Sequence, residues 1–189
     1  AKLNVPRIGV RFRLPASMNQ VEYFGRGPAE NYLDRNAGSM VGLYKSTAEE
    51  LYFPYVRPQE NGHHTDTRWV SLSTGKKGLL IQADNTIGFN ALRNSIEDFD
   101  DEEATGLSRQ WSNFTPEQVA NHDEAAAKNV LRRQHHINDI TPRDFVEVCV
   151  DLKQQGVAGY DSWGSRPEPA YTLPANREYN WGFTLIPLK

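Results

Sequence analysis

The chain has 189 residues and a formal net charge of −3 at pH 7. This length is enough for one sizeable hydrophobic core, so we treat residues 1–189 as a single domain. The slightly acidic balance excludes the basic surface that would attract nucleic acid or an anionic membrane, and no apolar run approaches the roughly 20 residues of a membrane-spanning helix.

Alternation of apolar and polar residues predicts β-strands along most of the chain. In the first of them every second residue from Ile8 to Leu14 is apolar, and the residues between are Arg or Gly. A strand that alternates in this way buries one face. The predicted strands span residues 7–14, 20–25, 67–72, 78–83, 144–152 and 178–187. In the last of these we expect the side chains of one parity to face the core: Tyr179, Trp181, Phe183 and Leu185.

One helical segment is predicted at residues 116–128. Thr115 can cap its first turn, and Pro116 suits the first helical position. Turns rich in Gly, Pro and Asn separate the strands. The sequence therefore predicts an all-β fold, an antiparallel β-sandwich with one or two short helices.

A polar turn follows Tyr55. Asn61-Gly62 supplies the positive-φ positions of a tight turn, and the surrounding polar residues exceed what a turn needs. These candidates are Arg57, Glu60, Asn61, Asp66 and Arg68. They could bind a sugar, or they could tie the turn to a neighbouring strand by charge-assisted hydrogen bonds. We favour the structural interpretation because Arg–carboxylate pairs often fix buried turns.

A second candidate site is the loop that contains Asp161, Ser162 and Trp163. An indole on a loop offers a flat apolar face on which the C–H patches of a sugar can stack. The alternative is that Trp163 packs under its own loop. Asp161 and Ser162 can shape the loop by hydrogen bonds to the backbone, which is the simpler explanation of both.

The remaining chemically active residues do not predict a metal or cofactor site. In the pairs His63-His64 and His135-His136 neighbouring side chains point to opposite faces of an extended chain, so we expect surface or turn histidines. The acidic run at residues 97–103 lacks the loop pattern of a calcium site, which favours a solvated loop. Cys149 is predicted to be a small buried side chain in a strand, and a single thiol fits either a reducing or an oxidising compartment.

Several of these motifs, in this order, resemble the C-terminal β-sandwich domain of glycoside hydrolase family 2 β-galactosidases. The resemblance covers nearly the whole chain. Its motifs lie at residues 5–12, 21–35, 55–62, 65–66, 68–69, 89–90 and 159–164 and in the closing run to Trp181. The resemblance implies a sandwich of the supersandwich, galactose mutarotase-like type. It also implies that residues 1–189 are the C-terminal portion of a larger sandwich domain in a long polypeptide.

The resemblance implies a retaining enzyme that hydrolyses terminal β-D-galactosyl residues, with its catalytic glutamates in a separate barrel domain. No carboxylate pair stands out in this chain, so the chain alone is expected to be inactive and to hold no catalytic residue. The implied role of Trp163, with Asp161 and Ser162, is a sugar platform. The family commonly has two consecutive Asp before the Ser, and Tyr160 stands at the first of these positions.

The partners that the resemblance implies are a β-galactoside and the other domains of the longer chain. It allows a homo-oligomer and a monovalent or divalent cation in that enzyme, with a cytoplasmic or periplasmic location. The alternative is a stand-alone carbohydrate-binding module or an aldose-mutarotase-like domain. A mutarotase needs a His acid and a Glu base, and His63 or His64 with a distant Glu would have to serve.

Overall fold

A computed structural model describes residues 3–56, 58–99, 137–161 and 163–189. Within these residues the chain forms seven strands: β1 (Arg7–Pro15), β2 (Gln20–Gly27), β3 (Met40–Thr47), β4 (His64–Ser73), β5 (Gly78–Leu92), β6 (Phe145–Gln154) and β7 (Phe183–Leu188). Short 3-10 helices occupy Ile96–Asp98, Ile137–Asp139 and Pro169–Tyr171. The predicted helix at residues 116–128 lies outside the described residues. No helix among the described residues is long and apolar enough to span a membrane.

The strands pair antiparallel in the order β1-β6-β5-β4-β2-β3, and β7 pairs with β5. β5 has 15 residues, long enough for two neighbours on the side away from β4. β7 pairs with residues 78–83 and β6 with residues 88–92. The register of the β4–β5 pairing shifts twice between Gln82 and Phe89 of β5, where its partner on the other side changes from β7 to β6. The predicted all-β, antiparallel class of sandwich type is confirmed.

The core is largely aromatic and β-branched. In β2 roughly every second residue is buried, whereas consecutive residues are buried at the end of β5 and in most of β6, so both faces of the sheet are covered there. Tyr23, Val70 and Ile81 are consecutive cross-strand partners in β2, β4 and β5, and all three are buried. Phe89 lies with its ring centroid 5.1 Å from that of Tyr23. Full burial of such a side chain contributes roughly 1.5–3 kcal/mol to folding, so this cluster holds the central strands together.

The strand predictions agree with the structure except in one strand and at some ends. β3 was missed because its apolar residues do not alternate regularly around Gly42. β5 continues to Leu92, beyond the predicted end at Ala83, because polar residues in the middle of the strand interrupt the pattern. Cys149 is buried in β6, as predicted.

The prediction that the last strand faces the core is wrong as stated. β7 begins only at Phe183, so Trp181 precedes the strand and is half-buried. Leu185 pairs with Ile81, which is buried, yet Leu185 is 49% exposed. The reason is its position: no described strand pairs with the other edge of β7, so its side chains lack cover on that side.

The chain divides into two compact units. The first comprises Ala1–Phe53, Asn61–Arg93 and Arg143–Lys189 and includes all seven strands described above. The second comprises Pro54–Glu60 and Asn94–Pro142.

In the second unit the Asp98 carboxylate is buried and accepts a hydrogen bond from the Ser95 amide at 3.0 Å. The expectation of a solvated acidic loop is therefore wrong for Asp98, because its carboxylate caps a 3-10 turn.

Candidate functional site

Residues 30–34, which we call the connecting segment, contact both stretches that the sequence singles out. One stretch is the polar turn, residues 61–66. The other is the aromatic loop, residues 157–165, which carries Trp163. The connecting segment follows β2 and lies in the glycine-rich motif at residues 21–35.

Glu30 and Asn31 hold the polar turn. The Gly62 amide donates to Glu30 Oε2 at 2.6 Å, and the Asn31 amide donates to the His63 carbonyl at 2.7 Å. Asn31 Oδ1 accepts from both the amide and the hydroxyl of Thr65, at 3.0 and 2.6 Å. Gly62 has φ +72°, and a Cβ there would lie 2.8 Å from the Leu51 carbonyl oxygen. Glycine is therefore required at the centre of this turn.

The predicted polar-turn residues make contacts within the chain. Asn61 is buried and its Oδ1 accepts from the Phe53 amide at 3.2 Å. Asp66 pairs with Arg26 Nε at 2.5 Å, and Arg68 donates to the Asp66 carbonyl. These contacts support the structural interpretation that we favoured. Of the other two candidates, Glu60 is half-buried and Arg57 lies outside the described residues.

His63 and His64 lie in the polar turn, as one half of the expectation has it, but they are not surface residues, so the other half is wrong. Each is 1% exposed; His63 directly precedes β4 and His64 is its first residue. Tyr32 stacks on the His63 ring at a centroid distance of 5.5 Å, and Phe89 stacks on His64 at 5.1 Å. Tyr32 of the connecting segment thus covers His63, whereas His64 is covered by Tyr23 of β2 and Phe89 of β5. The pair His135-His136 lies outside the described residues.

A polar network fixes the protonation of His63. Asn90 Oδ1 accepts from Arg7 Nη2 at 2.7 Å, and Asn90 Nδ2 donates to the Asn61 carbonyl at 2.8 Å. Asn90 Oδ1 is therefore an acceptor, so the proton of the neutral His63 ring sits on Nδ1, 2.8 Å away. Burial lowers the pKa of His63 to about 3, and the Arg7 charge acts in the same direction. Arg7 also pairs with the buried Asp151 at 3.0 Å.

His64 faces acceptors on both sides. Its Nδ1 lies 3.1 Å from the Gly62 carbonyl and its Nε2 lies 3.2 Å from the Pro28 carbonyl. Burial lowers the pKa of His64, although the two carbonyls favour the charged ring. Because both rings are covered, neither His63 nor His64 reaches a surface where it could protonate a sugar.

Trp163 does not pack under its own loop. Its side chain is 93% exposed, the largest exposure among the exposed apolar residues of the described chain. Asp161 Oδ1 accepts from the amides of Trp163 and Ser165 at 2.8 and 3.3 Å, and the Ser165 hydroxyl accepts from the Tyr160 amide at 3.1 Å. Asp161 thus shapes the loop, as the simpler interpretation predicted. Ser162 lies outside the described residues.

Asp34 anchors the aromatic loop, and the sequence reasoning missed it. Its Oδ1 accepts from the Val157 amide at 3.1 Å and its Oδ2 from the Ala158 amide at 2.7 Å. The available signal was its place at the end of the motif Glu-Asn-Tyr-x-Asp, whose first two members hold the polar turn. Spacing along the chain could not identify the partner, which lies 123 residues away.

The arrangement offers a displayed aromatic ring and internally satisfied polar groups. Among the described residues, no group of three or more His, Cys, Asp or Glu side chains is gathered as a metal site requires. The chemistry that the described surface supports best is therefore stacking of an apolar ligand face on Trp163.

Comparison with known proteins gives consistent matches over almost the whole chain. The family model described as "Beta galactosidase small chain" matches residues 1–185. A β-galactosidase of Priestia megaterium is 35% identical over 185 residues, which are 97% of this chain and 15% of that protein. A β-galactosidase of Arthrobacter sp. is 42% identical over 99 residues, 49% of this chain and 10% of that protein.

A β-galactosidase of Vibrio cholerae is 29% identical over 181 residues, 96% of this chain and 14% of that protein. The chain thus spans no more than 15% of the length of these relatives.

Proposed function

We propose, because this chain belongs to the β-galactosidase small-chain family, that it is the C-terminal part of a longer β-galactosidase. That enzyme would hydrolyse terminal β-D-galactosyl residues of lactose-type sugars with retention of configuration. The two carboxylates of such a reaction belong to a separate barrel domain. This chain contributes a structural domain and one aromatic surface for the sugar.

The main support for a sugar-stacking role of Trp163 is the exposure of its side chain. Leaving an indole 93% exposed forgoes the burial that normally stabilises a large apolar side chain. Its loop is nonetheless ordered by Asp161 and anchored by Asp34. A ring that is held in place but not covered suits stacking against a sugar, where aromatic contacts contribute roughly 0.5–1.5 kcal/mol beyond burial.

Exposed apolar residues on the sheet support the second part of the proposal, packing against the rest of the polypeptide. Leu43 of β3 is 59% exposed and pairs with Phe24 of β2, which is also exposed. Met40 and Leu185 add further exposed apolar surface at β3 and β7. Leu43 and Phe24 are neighbours on one face of the sheet, and an exposed apolar patch commonly marks an interface. Other domains of the longer chain are the partners that we propose for it.

The experiment compares the chain with the full-length polypeptide that contains it. Hydrolysis of a nitrophenyl β-galactoside is measured for both, and we expect turnover only in the full-length protein. Trp163→Ala in that protein should raise KM and reduce transfer to acceptor sugars by about tenfold or less, since one stacking contact is lost. Trp163→Phe keeps an aromatic face and is the matched control, expected to retain most of the binding.

Two outcomes would contradict the proposal. Turnover by the highly purified chain alone would show that it carries its own catalytic groups. An unchanged KM in Trp163→Ala would contradict the proposal that the sugar stacks on Trp163.

The exposed indole also suits a stand-alone carbohydrate-binding module. Titration of the isolated chain with lactose tests that alternative, which requires binding that Trp163→Ala abolishes.

A further inference from the structure

We propose that Asp34 is a positioning residue: it fixes the backbone at the start of the aromatic loop and thereby sets where Trp163 is displayed. The use of Trp163 in sugar binding rests on the proposed function above. The anchoring does not, so the two can fail separately.

Both Asp34 and the backbone of the loop are suited to this contact. Asp34 uses both carboxylate oxygens on consecutive amides, at 3.1 Å to Val157 and 2.7 Å to Ala158. Hydrogen bonds to an ionised carboxylate are about twice as strong as neutral ones. On the loop side, a Cβ at Gly156 would lie 2.5 Å from Asp34 Cγ. A glycine at this position therefore allows the carboxylate to approach the backbone.

The anchored backbone has an unusual conformation. Ala158 has φ +55°, and Gly159 follows with φ +87°. A non-glycine residue in this left-handed region is uncommon because its Cβ crowds the following carbonyl oxygen. The Ala158 amide is the group that Asp34 Oδ2 holds. The carboxylate thus stabilises the backbone reversal from which the rest of the loop projects.

Apart from the Asp34 contact, the hydrogen bonds of the described loop residues lie within the loop. A Cβ at Gly159 or Gly164 would meet no atom within 4 Å, so the loop stands in open space at both positions. In the described part of residues 157–165, the other hydrogen bonds join Asp161 and Ser165 to neighbouring loop amides. These bonds fix the local shape of the loop but not its placement on the sheet. Asp34 ties the loop to the connecting segment, next to the backbone hydrogen bond that the Gly156 amide donates to the Tyr171 carbonyl at 2.9 Å.

The first test measures amide hydrogen exchange in this chain. In Asp34→Ala the amides of Val157 and Ala158 should exchange about tenfold faster, because the loss of a charge-assisted hydrogen bond shifts the local opening equilibrium by roughly that factor. Asp34→Asn keeps one side-chain oxygen and should give a smaller increase. Asp144→Ala removes an exposed carboxylate and is the matched control, expected to leave both amides unchanged.

The same variants give a second readout at the ring itself. The anisotropy of Trp163 fluorescence is obtained as the difference between each protein and its Trp163→Phe derivative, and it should fall in Asp34→Ala. Unchanged exchange at both amides together with unchanged anisotropy would overturn the anchoring.

The link to the sugar is tested by a double-mutant cycle in the full-length polypeptide, with a nitrophenyl β-galactoside as the probe. Asp34→Ala should raise KM several-fold when Trp163 is present and should have no further effect in Trp163→Ala. If Asp34→Ala raises KM by the same factor with Trp163 and in Trp163→Ala, the proposal that Asp34 acts through Trp163 is refuted. If Trp163→Ala leaves KM unchanged while Asp34→Ala still accelerates exchange, the proposed function of Trp163 is refuted and the anchoring stands.

Discussion

Acidification should destabilise this chain through His63. Burial lowers the pKa of the folded-state ring from 6.5 to about 3, so between these pH values the unfolded chain binds one proton more than the folded chain. Stability therefore rises with pH across this window and is fully present above pH 6.5. The slope for one such group is about 1.4 kcal/mol per pH unit. Between pH 6.5 and pH 5 the chain should lose about 2 kcal/mol through His63 alone.

The structure explains why protonation is so unfavourable. The ring is 1% exposed, so an imidazolium would be cut off from water. The Arg7 guanidinium is held in the same network through Asn90 and repels a second positive charge. Asp151 Oδ2, 3.9 Å from His63 Nδ1, opposes these effects, but it also pairs with Arg7 at 3.0 Å. His64 should add to the loss, because burial lowers its pKa as well.

The assay is urea unfolding at pH 7.5, 6.5, 5.5 and 5.0, followed by far-UV circular dichroism. His63→Gln should be less stable at pH 7.5 but should show a shallower pH slope, because the titrating group is gone. Ile81→Ala serves as control: it damages the core where β5 pairs with Val70 and leaves the rings stacked on His63 and His64 in place, so it should keep the full slope. A free energy of unfolding that is equal at pH 7.5 and 5.0, or a full slope in His63→Gln, would refute the reasoning.

Three further predictions concern stability at neutral pH, each measured by thermal and urea unfolding of the chain. Trp163→Ala should change the free energy of unfolding by less than about 0.5 kcal/mol, whereas Phe89→Ala should cost about 3–5 kcal/mol by opening a core cavity; similar losses would make Trp163 a core residue. Asn31→Ala should cost about 1–3 kcal/mol because buried polar groups at Thr65 lose their acceptor; a neutral effect would mean that the turn is held elsewhere. Gly62→Ala should destabilise by more than about 1 kcal/mol, since φ is +72° and the Leu51 carbonyl is close, while Gly38→Ala, with open space around it, should be nearly neutral.

Strand patterning allowed much of this fold to be predicted, since alternation depends only on near neighbours in the chain. β1, β2, β4 and β6 each begin within three residues of the predicted start. β3 was missed because its apolar residues fall irregularly around Gly42. Pairing order was not predictable in the same way: β5 pairs with three other strands, and alternation carries no information on partners.

The candidate site was predictable where a residue acts alone and not where residues act together. Trp163 stood out because a loop that contains Gly and Pro cannot bury an indole in a strand. Asp34 did not, because its role depends on a partner far away in the sequence. The burial of His63 and His64 was missed for the same reason: the rings that cover them are distant in the sequence, Tyr32 against His63 and Tyr23 and Phe89 against His64.

Leu185 shows the difference between a predicted face and a predicted environment. Alternation correctly placed it on the side of its partner Ile81, which is buried, but Leu185 is 49% exposed. A strand pattern determines on which side of the sheet a residue lies, whereas exposure depends on what covers that side. The chain spans 15% of the Priestia relative, so in the proposed enzyme most of the polypeptide that could cover β7 and β3 lies outside these residues. On that proposal, the exposed side chain of Leu185 would be covered in the longer protein, because no described strand pairs with the other edge of β7.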